Sequence, residues 1–199
     1  MKLIDYYNKT LSLSKQFKDV NYYTLGLLGE FGELLEATTL ESKYDEAGDV
    51  YWYAIRLAHL LKVDMATIVP IQQSSRNVLF TALRLAELEK KQLRKLKEKD
   101  YTSPQQEELI KFISGFNYWF SDPKILVNSI YKQTYRNYYG KREISHDDVI
   151  VRVETLSTPD YLKIIDNLPP DLNNPDADPY KLDRAIFDIL NNTDETNTD

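Results

Sequence analysis

Two pairs of acidic residues, each set into an apolar helical stretch, constrain this chain more than anything else in it. The segment 25–65 reads LGLLGEFGELLEATTLESKYDEAGDVYWYAIRLAHLLKVDM. Glu30 and Glu33 are three residues apart, and so are Glu46 and Asp49. That spacing puts both members of a pair on one helical face. Leu27, Leu28, Leu34 and Leu35 surround the first pair, and Val50, Trp52, Ile55 and Leu57 follow the second. Carboxylates on or beside a core-facing stripe are costly unless compensated. Two such pairs on consecutive helices therefore point to a shared counter-ion, and a divalent cation is the natural one.

The rest of the composition narrows the choice of ion. The 199 residues contain no cysteine and two histidines, His59 and His146. Disulfide frameworks, zinc ribbons and thiol nucleophiles are excluded, and oxygen ligands favour Mg²⁺ or Mn²⁺ over zinc. A di-iron bundle built on Glu-x-x-His motifs finds no support at His59. No Gly-rich phosphate loop of the P-loop type is present. The net charge of −6 argues against a nucleic-acid partner. With no signal-type or membrane-spanning apolar run, the expectation is a cytoplasmic protein with no membrane partner.

Apolar residues recur at helical spacing through most of the chain, and the only β-like run is VIVRVETL near residue 150. An all-α fold follows. The pattern predicts helices over residues 3–18, 22–38 (capped by Asn21) and 45–61, the last two joined by a polar link at 41–44. A short helix over 65–69 should follow Asp64, and longer ones should cover 74–99, 104–120 and 124–139. Residues 143–156 are ambiguous between helix and strand, and 157–168 return to helix. Residues 1–168 read as one domain. Residues 169–199 form a Pro/Asn linker and acidic tail with one short helix. Gly26, Gly29 and Gly32 repeat inside the second helix. Close helix packing and space for a ligand beside the carboxylates both explain them.

A faint internal repeat runs through residues 75–140. TLGLLGEFGELLE at 24–36 is echoed by TALRLAELEKKQL at 81–93, and DVYWYAIRL by GFNYWFSDP. Glu30 then matches Glu87, Glu33 matches Lys90, and Ile113 and Phe116 stand opposite Glu46 and Asp49. A second copy of this kind has lost its acidic pairs and kept its packing.

The run Gly29-Glu30-Phe31-Gly32-Glu33-Leu34, followed by Glu46-Ala47-Gly48-Asp49-Val50-Tyr51-Trp52-Tyr53, resembles the ExxE…ExxD signature of the MazG-like all-α nucleoside triphosphate pyrophosphohydrolases. That superfamily also includes the dimeric dUTPases. The resemblance extends over residues 22–68, and Phe31 is bulky where the family often has a small residue. It implies a MazG-like helical bundle, completed by a homodimer or by the degenerate repeat. It further implies Mg²⁺-dependent hydrolysis of a (deoxy)nucleoside triphosphate to the monophosphate and pyrophosphate. Glu30, Glu33, Glu46 and Asp49 would ligate the metal and activate water. Lys43, Lys62 and Arg76 are phosphate candidates, and Tyr22, Tyr23 and Asn77 are candidates for the base or sugar. A nucleotide-sequestering protein, or a helical interaction protein whose acids are paired with lysines and arginines, are the alternatives.

Overall fold

The computed structural model describes residues 2–12, 18–94 and 100–139, and among these every regular element is helical. The elements are α1 (Leu3–Ser12), α2 (Val20–Glu36), α3 (Leu40–Leu60), a 3₁₀ turn (Met65–Thr67), α4 (Ser75–Leu93), α5 (Thr102–Trp119) and α6 (Pro123–Tyr139). The expectations for 143–156, 157–168 and 169–199, and the ends of the helices predicted over 3–18 and 74–99, lie outside the described residues. Residues 2–129 form one compact unit. No helix among the described residues is long and apolar enough to cross a membrane.

Caps fix the helix starts, and two differ from the sequence expectation. Asp19, not Asn21, caps α2: its carboxylate accepts from the Tyr22 N–H at 2.8 Å. Thr39 caps α3 by accepting from the Ser42 N–H at 3.1 Å. The stretch 41–44 is thus the first turn of α3, not a link. A solvent-facing first turn is as polar as a loop, so composition alone does not separate the two. Ser74 caps α4 and Asp64 caps the 3₁₀ turn, as their types suggest. Lys62 takes a positive φ of 56° where α3 ends and the chain turns.

Three residues separate α2 from α3, so α3 folds back along α2. The second hairpin, α4–α5, packs beside the first, with α2 against α4 and α3 against α5. An aromatic cluster joins them. The Phe116 ring lies 4.9 Å from Tyr51, 6.1 Å from Phe31 and 4.7 Å from Phe120. Tyr51, Phe112 and Phe116 are fully buried, and each contributes on the order of 2 kcal/mol through apolar burial alone. The Tyr51 hydroxyl lies 3.0 Å from both Asn117 Oδ1 and the Phe120 carbonyl oxygen. The extended segment between the 3₁₀ turn and α4 is tied to α5: Ile71 N–H donates to the Ser114 carbonyl, and Trp119 Nε1–H to the Gln73 carbonyl.

The start of α6 closes over the middle of α3. Ser129 Oγ donates to the Gly48 carbonyl at 2.8 Å and accepts from the Tyr6 hydroxyl at 2.8 Å. A Cβ on Gly48 would meet Ser129 Cβ at 3.1 Å, so the absence of a side chain there permits the approach. Arg56 is buried in the same layer. Its guanidinium donates to the Thr10 carbonyl at 3.0 Å and lies 3.6 Å from the Trp52 ring centroid. Burial lowers its pKa, opposed by the Tyr23 hydroxyl beside it.

The glycine repeat divides. A Cβ on Gly26 would clash with the Tyr53 ring, whereas one on Gly29 or Gly32 would meet nothing within 4 Å. Gly26→Ala is expected to destabilise the fold by about 1–3 kcal/mol through overpacking. Gly29→Ala is expected to stabilise it by up to ~1 kcal/mol through helix propensity. Urea unfolding of the two variants measures both signs, and equal effects would contradict the packing described.

Burial raises the pKa of Tyr6 and of Tyr51 well above the ordinary tyrosine value. The folded chain therefore keeps protons that the unfolded chain releases. This contribution to stability is complete below pH ~10 and is lost as pH rises above it. Denaturant midpoints should fall between pH 9.5 and 11.5, more steeply in wild type than in Tyr6→Phe.

Candidate metal centre

The α2–α3 hairpin brings three of the four predicted carboxylates together. Glu30 and Glu33 from α2 and Glu46 from α3 each offer an oxygen, and these oxygens lie within 4.8 Å of one another. Glu30 and Glu46 are half-buried and Glu33 is exposed, so the cluster opens to solvent. Gly29 and Gly32, with nothing within 4 Å of where a side chain would start, leave space beside it. Three like charges at this separation repel. The donor set fits a hard divalent ion: Mg²⁺ takes oxygens at ~2.0–2.1 Å, which separates neighbouring ligands by roughly 3 Å and opposite ones by roughly 4 Å. Small rotations of glutamate side chains cover the difference.

Asp49 is not part of this triad. It lies one turn beyond Glu46 on α3 and is buried. Its charge is felt by the Tyr6 and Tyr53 hydroxyls. Tyr53 links the two acidic groups. Its pKa is pushed up first by burial, then by a hydrogen bond with Tyr22, and further by the charges of Tyr22, Glu30 and Asp49. Its hydroxyl thus feels both Glu30 of the triad and Asp49. The sequence signalled this residue only as part of an aromatic cluster.

The predicted substrate contacts separate by position. Lys43 is exposed on α3, one turn before Glu46. Arg76 and Asn77 lie in the exposed first turn of α4, where the Arg76 guanidinium sits 5.3 Å from the Phe80 ring centroid. Tyr22 is half-exposed and packs edge-on against Tyr23, at 5.3 Å. Tyr23 is buried, and its hydroxyl accepts from the Lys18 N–H and is hydrogen-bonded to Arg56. Tyr23 is therefore a packing residue. Lys62 lies past the far end of α3, with roughly 20 Å of helix between Glu46 and Leu60.

One feature of the fold had no signal in the sequence. A cavity of about 340 Å³ lies between the two hairpins. Phe31, Leu34 and Leu35 of α2 form one side, Phe116, Trp119 and Phe120 another, and Lys43, Ser75 and Val78 complete the lining. The bulk of Phe31 has its reason here: the ring packs edge-on against Phe112 and Phe116 at 5.6 and 6.1 Å and walls the cavity.

The acids of the second hairpin have protein partners. Glu87 pairs with Lys90 at 3.5 Å and Lys91 at 3.7 Å. Glu108 pairs with Lys111 and Arg84, and the buried Glu89 carboxylate accepts from the Gln105 amide at 2.7 Å. Ile113 and Phe116, opposite Glu46 and Asp49 in the repeat, are core residues.

In comparisons with known families, characterised proteins and solved structures, the chain matched none.

Mg²⁺ or Mn²⁺ at ~100 times its dissociation constant should add about 2.7 kcal/mol of stability, read as a rise of several degrees in melting temperature. Glu30→Gln and Glu46→Gln should abolish the rise, whereas Glu87→Gln on α4 should leave it intact. An equal shift in all three variants would rule out the triad as the binding site.

Proposed function

We propose that the protein is a metal-dependent nucleoside triphosphate pyrophosphohydrolase of the MazG-like kind, with Glu30, Glu33 and Glu46 as its metal-holding centre. The observation that carries this reading is the convergence of their three carboxylate oxygens within 4.8 Å. They come from two helices, in the order and spacing of the ExxE…ExxD pattern. Space beside Gly29 and Gly32 and a solvent-facing Glu33 support it, since a polyphosphate must reach the cluster. The degenerate repeat is part of the proposal: α4–α5 stands where a partner hairpin would pack, and its acids are already matched by Lys90, Lys91, Lys111 and Arg84.

In this reading the three glutamates hold Mg²⁺ or Mn²⁺, and Asp49 extends the ligand set or fixes Tyr53 behind it. When bound, the ion supplies charge neutralisation at the phosphates and a water of lowered pKa. A carboxylate of the cluster accepts the proton of the attacking water. Water adds across the α–β phosphoanhydride, so the monophosphate and pyrophosphate leave. Lys43, one turn from Glu46, offsets charge on the phosphate chain. A homodimer belongs to the same proposal, supported by the exposed apolar side chains Leu25, Leu35, Phe80 and Leu83.

The decisive measurement is pyrophosphate release with Mg²⁺ over a panel of ribo- and deoxynucleoside triphosphates, modified bases included. The expected result is stoichiometric pyrophosphate and monophosphate, with kcat lowered about 100-fold or more in Glu33→Gln and Glu46→Gln. Nucleotide binding without pyrophosphate release from any member of the panel would replace the enzyme by a sequestering protein. Neither binding nor a metal-dependent thermal shift would reduce the acidic cluster to a surface feature of an interaction protein.

A further inference from the structure

We propose that the cavity between the hairpins binds a small apolar carboxylate, an alkyl or aryl chain that ends in a single anionic group. This site does not rest on the pyrophosphohydrolase reading, and it is tested by binding, not turnover. Burial divides the lining into a floor and a rim. Phe31, Leu34, Val78 and Phe116 are buried, and their side chains carry no hydrogen-bonding group. Leu35, Lys43, Ser75 and Trp119 are exposed. The space of about 340 Å³ lies at the lower end of the range for small-molecule sites. Trp119 is held at the rim because its Nε1–H donates to the Gln73 carbonyl at 2.7 Å. Little side-chain freedom is therefore lost when a ligand packs on the indole.

The floor selects an apolar body. A hydroxyl, amide or ring nitrogen brought onto it loses its water and gains no partner, which costs roughly tenfold in affinity for each such group. The indole N–H at the rim is already committed to Gln73. A sugar, a nucleobase or a peptide backbone is therefore a poor occupant. A hydrocarbon or phenyl chain buries the same surface without that cost.

The rim selects one negative charge. Lys43 is the charged residue of the lining, and among the described residues it forms no ion pair. Its ammonium rides on a flexible stem, so it can meet a head group at the mouth while that group keeps part of its hydration. Ser75 is the first residue of α4, and the positive end of that helix favours an anion on the same side. A carboxylate is a monoanion at neutral pH and matches a single lysine. An ammonium head group would be repelled there, and a neutral hydroxyl would leave the charge of Lys43 unused.

The full-length protein is titrated calorimetrically with hexanoate, octanoate and decanoate, with octylamine and 1-octanol, and with 5-phenylpentanoate. Affinity should rise about fourfold for each methylene added along the carboxylate series. Octanoate should bind roughly tenfold tighter than octylamine. Lys43→Met, at an exposed position, should erase the advantage of octanoate over 1-octanol and leave 1-octanol binding unchanged. Trp119→Ala should weaken all six probes, with an unchanged melting temperature showing that the fold is intact. Tighter binding of 5-phenylpentanoate than of octanoate supports the site with an aryl body, and the reverse supports it with an alkyl body. Failure of every carboxylate to bind overturns the site. Equal affinities for octanoate and octylamine overturn the anionic head group, as does an undiminished octanoate advantage in Lys43→Met. Affinity that stays flat along the carboxylate series overturns the apolar floor as the binding surface.

Discussion

The contact of α2 with α3 at Gly26 sets the position of everything that matters at the centre. The Tyr53 ring of α3 packs where a Gly26 side chain would start, so α2 receives that ring against its bare backbone. A helix has one degree of sliding and one of rotation against its neighbour, and a close contact of this kind restricts both. With α3 held there, Glu46 arrives opposite Glu30 and Glu33, and the Tyr53 hydroxyl feels the charges of Glu30 and Asp49. A larger residue at Gly26 would move α3 outward and separate the carboxylates, without any change to the carboxylates themselves.

Around this contact the two hairpins divide the electrostatic problem differently. On α4–α5 each of the acids Glu87, Glu89 and Glu108 has a lysine, arginine or glutamine partner. On α2–α3 the three glutamates converge on one another. The aromatic packing of Tyr51, Phe112 and Phe116 across the hairpins is large enough to hold such an arrangement in place.

Much of this was legible in the residues. The helical period gave six helices in nearly their observed places, and Ser74, Asp64 and Asp122-Pro123 marked boundaries through their own local chemistry. Misreadings occurred where local chemistry was ambiguous. Asn21 and Asp19 are both good caps by residue type; Asp19 caps α2, and Asn21 lies in its first turn. Capped by Thr39, α3 begins at Leu40, five residues before the expected start, because a polar first turn and a polar link have the same composition. That shift matters, since it puts Lys43 on the helix, one turn from Glu46.

The sequence alone determined that the fold is helical and that each acidic pair shares a helix face, because both follow from a 3.6-residue period within a single segment. It also determined the chemistry on offer, since oxygen ligands without cysteine and with little histidine leave few kinds of site. Tertiary structure decided which carboxylates meet. Glu46 joined Glu30 and Glu33 while Asp49 went to a buried layer beside Tyr6 and Tyr53, and this depends on the rotation of α3 against α2, which no single helix encodes. The aromatic cavity was decided the same way. Phe31 and Trp119 are far apart in the chain, and a wall made by two hairpins exists only after they have packed.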